Sequence, residues 1–139
     1  MAEGILKARW SLLGRNDLSV ASMGVHGLNH QPAAELAQRI CLQHGVDITK
    51  HVSRPLEFDE LNGSDLVFTM EFAQKELIVL LLPQLREKTF LFGAWPAKES
   101  PKGNVKDPMG GNQKDYEEAY TAISRRIDTM LPLLQSLFR

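Results

Sequence analysis

Apolar positions recur at helical spacing at both ends of the chain and at strand spacing between them. Residues 2–13 read as a helix, with Ile5, Ala8 and Leu12 on one face and Gly14 as its stop. Leu18-Ser19-Val20-Ala21-Ser22 alternates as a strand and ends at Met23-Gly24. A Gly- and His-containing loop then leads to Pro32, which opens a second helix through about His44, before Gly45. Its apolar stripe is Leu36, Ala37, Ile40 and Cys41. Residues 51–56 read as extended and 57–61 as a helical turn. The run Leu66-Val67-Phe68-Thr69-Met70, preceded by Asn62-Gly63-Ser64-Asp65, suits a strand covered on both faces. A helix over residues 72–82 ends at Pro83, and Thr89-Phe90-Leu91-Phe92 is another apolar strand closed by Gly93. The strongest periodicity belongs to the last helix, where Tyr116, Ala119, Tyr120, Ile123, Ile127, Met130, Leu131 and Leu134 form one stripe and Pro132 marks a kink or fray point.

Helix, strand, helix, strand, helix, strand, long loop, helix is the alternation of a parallel α/β sheet. The expected fold is a three-layer α/β/α domain over residues 1–139 with a small parallel sheet of three strands. Doubly wound sheets usually begin on a strand, and this chain begins on a helix, so a first element of a four-stranded sheet is expected to be missing. Residues 94–112 break the pattern with Pro96, Pro101, Pro108, Gly103, Gly110 and Gly111, giving a long loop, ordered or partly mobile. Loops of that length inside a compact domain are usually functional.

Composition narrows the function. With 43% hydrophobic residues, 24% charged and a net charge of −1, the chain has no electrostatic case for nucleic acid or an anionic membrane. Its apolar runs are too short for a membrane span, and Met1-Ala2-Glu3-Gly4-Ile5-Leu6 lacks the form of a secretory signal. One cysteine excludes an intrachain disulfide, so the expected compartment is the cytoplasm. Nucleotide P-loops, dinucleotide glycine motifs, paired CxxC and HExxH are absent, and the histidines at 26, 30, 44 and 51 do not cluster with carboxylates. No metal or cofactor is implied.

Two residues invite a chemical reading. Cys41 sits on the apolar stripe of the second helix, where a thiol is shielded, and Asp47 stands six positions later. It reads as a core residue and not as a nucleophile. In Lys106-Asp107-Pro108-Met109-Gly110-Gly111, proline holds Asp107 extended and the glycines turn the backbone behind it. A carboxylate fixed there can act as general acid, or equally be a turn residue or the cap of the next helix.

The whole chain resembles the low-molecular-weight protein tyrosine phosphatases. That family carries Cys-x5-Arg-Ser-Pro directly before Met-Ala-Glu, and this chain opens with Met1-Ala2-Glu3. Ser22-Met23-Gly24 is similar to the family's Ser-Ala-Gly, and Pro32-Ala33-Ala34 to its Pro-Ala-Asp helix start. Gly45-Val46-Asp47-Ile48 with His51-Val52-Ser53-Arg54, Asp65 through Glu71, and Asp107-Pro108 before Asp115-Tyr116-Glu117 follow in order. Thr89-Phe90-Leu91-Phe92-Gly93 and Trp95 resemble the bacterial branch linked to exopolysaccharide control.

The resemblance implies phosphotyrosine hydrolysis through a cysteinyl phosphate, with Asp107 as general acid and Ser22 and His51 bracing the phosphate loop. Bland roles for the latter two are a turn cap and a surface histidine. It also implies a phosphotyrosine protein as substrate and a bacterial tyrosine kinase as partner. Against the family pattern, the nucleophilic cysteine, the phosphate-binding arginine and the strand leading to them are not among these residues. The chain is therefore expected to be N-terminally truncated and inactive as written, through a late-chosen start or a genuine truncation. In the family the missing strand lies between those matching residues 18–22 and 66–70. Its loss would leave buried backbone groups unpaired at about 1–3 kcal/mol each. That predicts closure of the two strands, instability, or a homodimer through the exposed sheet gap. Met109 stands where relatives often have an aromatic residue, which weakens tyrosine selectivity. The alternative function is a non-catalytic truncated paralogue that binds partners or dimerises. A thiol-based arsenate reductase on the same scaffold would need several cysteines in relay, and this chain has only Cys41. The mapping further requires Ser22, His51, Asp107 and the start of the first helix to converge.

Overall fold

The computed structural model describes residues 1–26 and 29–139; part of the Gly- and His-containing loop, Gly27 and Leu28, lies outside the described residues. In chain order the elements are α1 (Ala2–Leu12), α2 (Glu35–Gln43), α3 (Phe58–Gly63), β1 (Val67–Thr69), α4 (Phe72–Leu81), β2 (Thr89–Leu91) and α5 (Gln113–Leu137). Turns of 3-10 helix span Pro83–Lys88 and Pro101–Gly103. The chain forms two compact units, one of Met1–Pro55 with Asp107–Arg139 and one of Leu56–Lys106. No described helix is long and apolar enough to cross a membrane.

In the first unit α1 and α2 pack on α5. The stripe read from the sequence is the buried face of α5 except at Leu131: Tyr116, Ala119, Tyr120, Ile123, Ile127, Met130 and Leu134 are buried, and Leu131 is half-buried. Pro132 neither ends nor frays this helix, which runs on to Leu137. On α2 the buried residues are Ala37, Ile40 and Cys41. This helix starts at Glu35, later than Pro32, because Pro32 is drawn into an antiparallel bridge with Val52. On α1 the expected face is only partly right. Ile5 is buried, but Leu12 is 80% exposed and Trp10 is buried instead. One turn before Leu12, the Arg9 guanidinium reaches across to Asp128 (2.8 Å) and Ser124 (3.1 Å) on α5.

The second unit carries the sheet. β1 and β2 are parallel, with Val67 opposite Thr89, Phe68 opposite Phe90 and Thr69 opposite Leu91. In each strand the outer two residues are buried and the central phenylalanine is half-buried, so the alternation of a pleated strand survives within an almost wholly apolar run. Phe68 meets Trp95 at 5.5 Å and Phe92 at 6.2 Å, both edge-on, and Phe90 lies 6.1 Å from Trp95. α4 packs on both strands.

Among the described residues the sheet has two strands where three were expected. Residues 18–21 keep the strand pattern of burial, with Leu18 and Val20 half-buried and Ser19 and Ala21 exposed, but Ser22 is exposed too and the segment belongs to no ladder. Alternation makes a segment compatible with a sheet, but only a hydrogen-bonded neighbour makes it a strand.

Candidate active site

The N-terminal turn of α1 is the centre of a polar cluster in the first unit. Glu3 lies in the first turn, where the helix dipole favours a negative charge. One carboxylate oxygen pairs with Lys7 Nζ at 2.5 Å, one turn along. The other accepts a hydrogen bond from Ser22 Oγ at 2.5 Å and lies 3.6 Å from His51 Nδ1. Burial alone would raise the Glu3 carboxyl. The Lys7 and Ser22 hydrogen bonds and the charges of Lys7 and His51 outweigh it, so the group is held below its ordinary value.

Local backbone pairing delivers these side chains. The Gly24 N–H donates to Arg54 O (2.9 Å) in a parallel bridge between Gly24 and Pro55. Arg54 Nε donates to Ser22 O (3.2 Å), which fixes the residue whose hydroxyl reaches Glu3. Ser53 and Gln31 exchange further bonds, Ser53 N–H to Gln31 O (2.8 Å) and Gln31 N–H to Ser53 Oγ (3.1 Å). His51 closes a turn on Ile48 O (3.1 Å). Ile48 and Val46 are buried against α1, where only glycine fits: a Cβ on Gly4 would stand 2.5 Å from Ile48 Cγ2.

Asp107 is exposed and sits in a turn of its own making. Its Oδ1 accepts the Met109 N–H at 2.9 Å, and Gly111 N–H closes on Pro108 O at 2.8 Å. Gly110 takes φ +79°, a conformation that other residues adopt at a cost. Helix capping falls to Asn112, whose Oδ1 accepts the Asp115 N–H (3.1 Å) while Asp115 Oδ2 accepts the Asn112 N–H (2.9 Å). Of the two bland roles open to Asp107, the turn is therefore real and the cap belongs elsewhere. Ser22, His51 and the start of α1 come together through Glu3; the bonds of Asp107 are to its own loop.

Cys41 is fully buried, and burial pushes its thiol up while the N-terminal ammonium pulls the other way. A thiol in that setting is not poised as a nucleophile. Sequence reasoning missed Glu3 as the hub. Its only signal was an acidic residue in the first turn of a helix, which usually means no more than a favourable dipole contact.

A family model described as "Low molecular weight phosphotyrosine protein phosphatase" matches residues 1–138. The low molecular weight protein-tyrosine-phosphatase Etp of Escherichia coli (strain K12) is 34% identical over 109 residues, 78% of this chain and 70% of that protein. The probable low molecular weight protein-tyrosine-phosphatase EpsP of Ralstonia solanacearum is 31% identical over 137 residues, 99% of this chain and 88% of that protein. Among solved structures, the low molecular weight protein tyrosine phosphatase from T. tengcongensis superposes with a TM-score of 0.86 at 31% identity, covering 94% of this chain and 87% of that one. The α/β class read from the alternation of elements is the class of that structure. With its matched span reaching from Met1 to Phe138, this chain belongs to the low molecular weight phosphotyrosine protein phosphatase family.

Proposed function

We propose that this chain carries the leaving-group and loop-bracing parts of a phosphotyrosine phosphatase, and that hydrolysis needs a Cys-x5-Arg segment not found among its 139 residues. The family match over residues 1–138 carries the reading. In this reading a cysteine thiolate attacks phosphorus, and the bond to the tyrosyl oxygen breaks as Asp107 gives its proton to the departing phenolate. Water then attacks the cysteinyl phosphate, its proton passing to Asp107, and inorganic phosphate leaves with the thiolate restored. The exposed, turn-fixed carboxylate of Asp107 supports the acid role. Ser22 and His51 brace the phosphate loop; the placement of both beside Glu3 in the first turn of α1 supports that role. The single cysteine, Cys41, is sealed in the core and offers no substitute nucleophile.

The substrate class we assign is a phosphotyrosine protein, and the partner a bacterial tyrosine kinase of exopolysaccharide export. Relatives named as protein-tyrosine-phosphatases support the first. The second rests on the likeness of β2 and Trp95 to the exopolysaccharide-linked branch.

Turnover of p-nitrophenyl phosphate by the pure 139-residue chain is expected to stay at background. Robust turnover lost on Asp107→Ala would mean a nucleophile has been overlooked. Joined to a family-type strand and Cys-x5-Arg-Ser-Pro segment, the chain should become active. There Asp107→Ala should cost about 10²–10⁴-fold, more for phenyl phosphate than for p-nitrophenyl phosphate. Equal losses on both esters would remove Asp107 as the acid.

A further inference from the structure

The outer face of α4 and the 3-10 turn after it form a groove of about 620 Å³, lined wholly by residues of the second unit. Local sequence lays this face out. Ile78, Leu82 and Leu85 are buried and fix the inward side of α4 and its turn. Phe72, Glu76 and Leu80, each one helical turn from the next, fall on the outward side with Val79 beside them and line the groove. In the turn Pro83–Lys88, side chains three apart eclipse, so Arg86 follows Pro83 along the same wall. Phe72, Val79, Leu80 and Pro83 thus supply a continuous apolar surface, and Leu80 is 77% exposed on it. An apolar surface of this kind, rimmed by charge, marks a place of contact.

Four charged side chains line the groove, and two of them are already paired. Glu99 Oε1 accepts the Leu91 N–H at 2.7 Å, and its other oxygen pairs with Lys75, whose ammonium also lies 5.8 Å from the centre of the Phe90 ring. Glu76 and Arg86 are exposed, and neither side chain has a hydrogen-bond or ion-pair partner among the described residues. One unpaired anion and one unpaired cation therefore stand beside the apolar surface. An anionic ligand would meet Glu76 there, and a cationic one Arg86. A surface that bears both signs is matched by its own copy. A two-fold axis sets Glu76 of one chain against Arg86 of the other, repeats the pair in reverse, and faces one apolar surface with its twin.

We propose that this face of α4 is a self-association surface, filled by a second copy of the chain through reciprocal Glu76–Arg86 pairs around Leu80. The proposal is independent of the phosphatase reading. A contact made by one helix face and one turn belongs to the weak class, below about 1,200 Å² of buried surface, so the dimer forms only at high concentration.

Sedimentation equilibrium of the 139-residue chain up to about 0.5 mM tests this, and the apparent mass of the wild type should rise with concentration. Glu76→Arg and Arg86→Glu each set like charges opposite one another and should weaken association about tenfold or more. Both positions are exposed, so the fold should tolerate either change. Mixed one to one, the two variants carry complementary charges and should associate about as well as the wild type, as should the double variant E76R/R86E. Leu80→Asp should abolish association in every one of these backgrounds. A wild type of constant mass over the whole range would overturn the proposal. Association that survives both reversals, or Leu80→Asp, would place the contact elsewhere, at the sheet gap for example, and overturn it too. Loss in both single variants with no recovery in their mixture would show a general effect of charge and would sink the reciprocal pairing on which the proposal stands.

Discussion

Glu3 gathers an ammonium, a hydroxyl and an imidazole around one carboxylate, and its ionisation is linked to folding. Its folded-state value lies below the ordinary 4.5 of the unfolded chain. The stability it contributes is therefore fully present above that pH and is lost as pH falls through the depressed folded value. Glu3→Gln should destabilise the chain at neutral pH and cost progressively less below about pH 4.5, where the wild-type carboxylate is itself being protonated. Urea unfolding of both proteins across that range checks this, and a difference that stays constant with pH would show that the charge is not what matters. The family resemblance required Ser22, His51 and the start of the first helix to converge, but that Glu3 is the group joining them was not legible. Nothing in local spacing connects residues 19 positions apart, as Ser22 and Glu3 are.

Elements were more legible than contacts. The expected helix over 72–82 is α4 (Phe72–Leu81), and the expected last helix is α5 with its stripe in place. Both boundaries carry local signals that act within a few residues, Pro83 after α4 and Asn112 before α5. The Asn112–Asp115 capping box closes two amides reciprocally, so Asn112→Ala should cost about 1 kcal/mol in chemical denaturation, with Asn112→Ser near neutral. A loss under a few tenths would show that solvent satisfies these amides equally well. Where expectation and structure part, a distant partner intervened. Pro32 signals a helix start by its fixed φ, and pairing with Val52 claims it for a bridge instead.

For the whole molecule, the burial of Cys41 has a direct consequence. A thiol with no exposed surface and a raised pKa should resist a thiol reagent such as dithionitrobenzoate in native buffer and react fully in denaturant. Prompt native labelling would mean that the α2–α5 packing opens readily. The sequence by itself determined the helices, the apolar runs of β1 and β2, the α/β class, the buried place of Cys41 and, through ordered short motifs, the family. These depend on periodicities of two and 3.6 residues and on turn chemistry, which neighbouring residues specify. Tertiary structure alone decided that residues 18–22 form no strand, that Glu3 is the hub joining Ser22 and His51, and that Asn104 caps a helix begun 32 residues earlier. Each is a hydrogen-bonding outcome. A donor or acceptor must find a partner, and which partner it finds is fixed only when the chain has brought distant segments together.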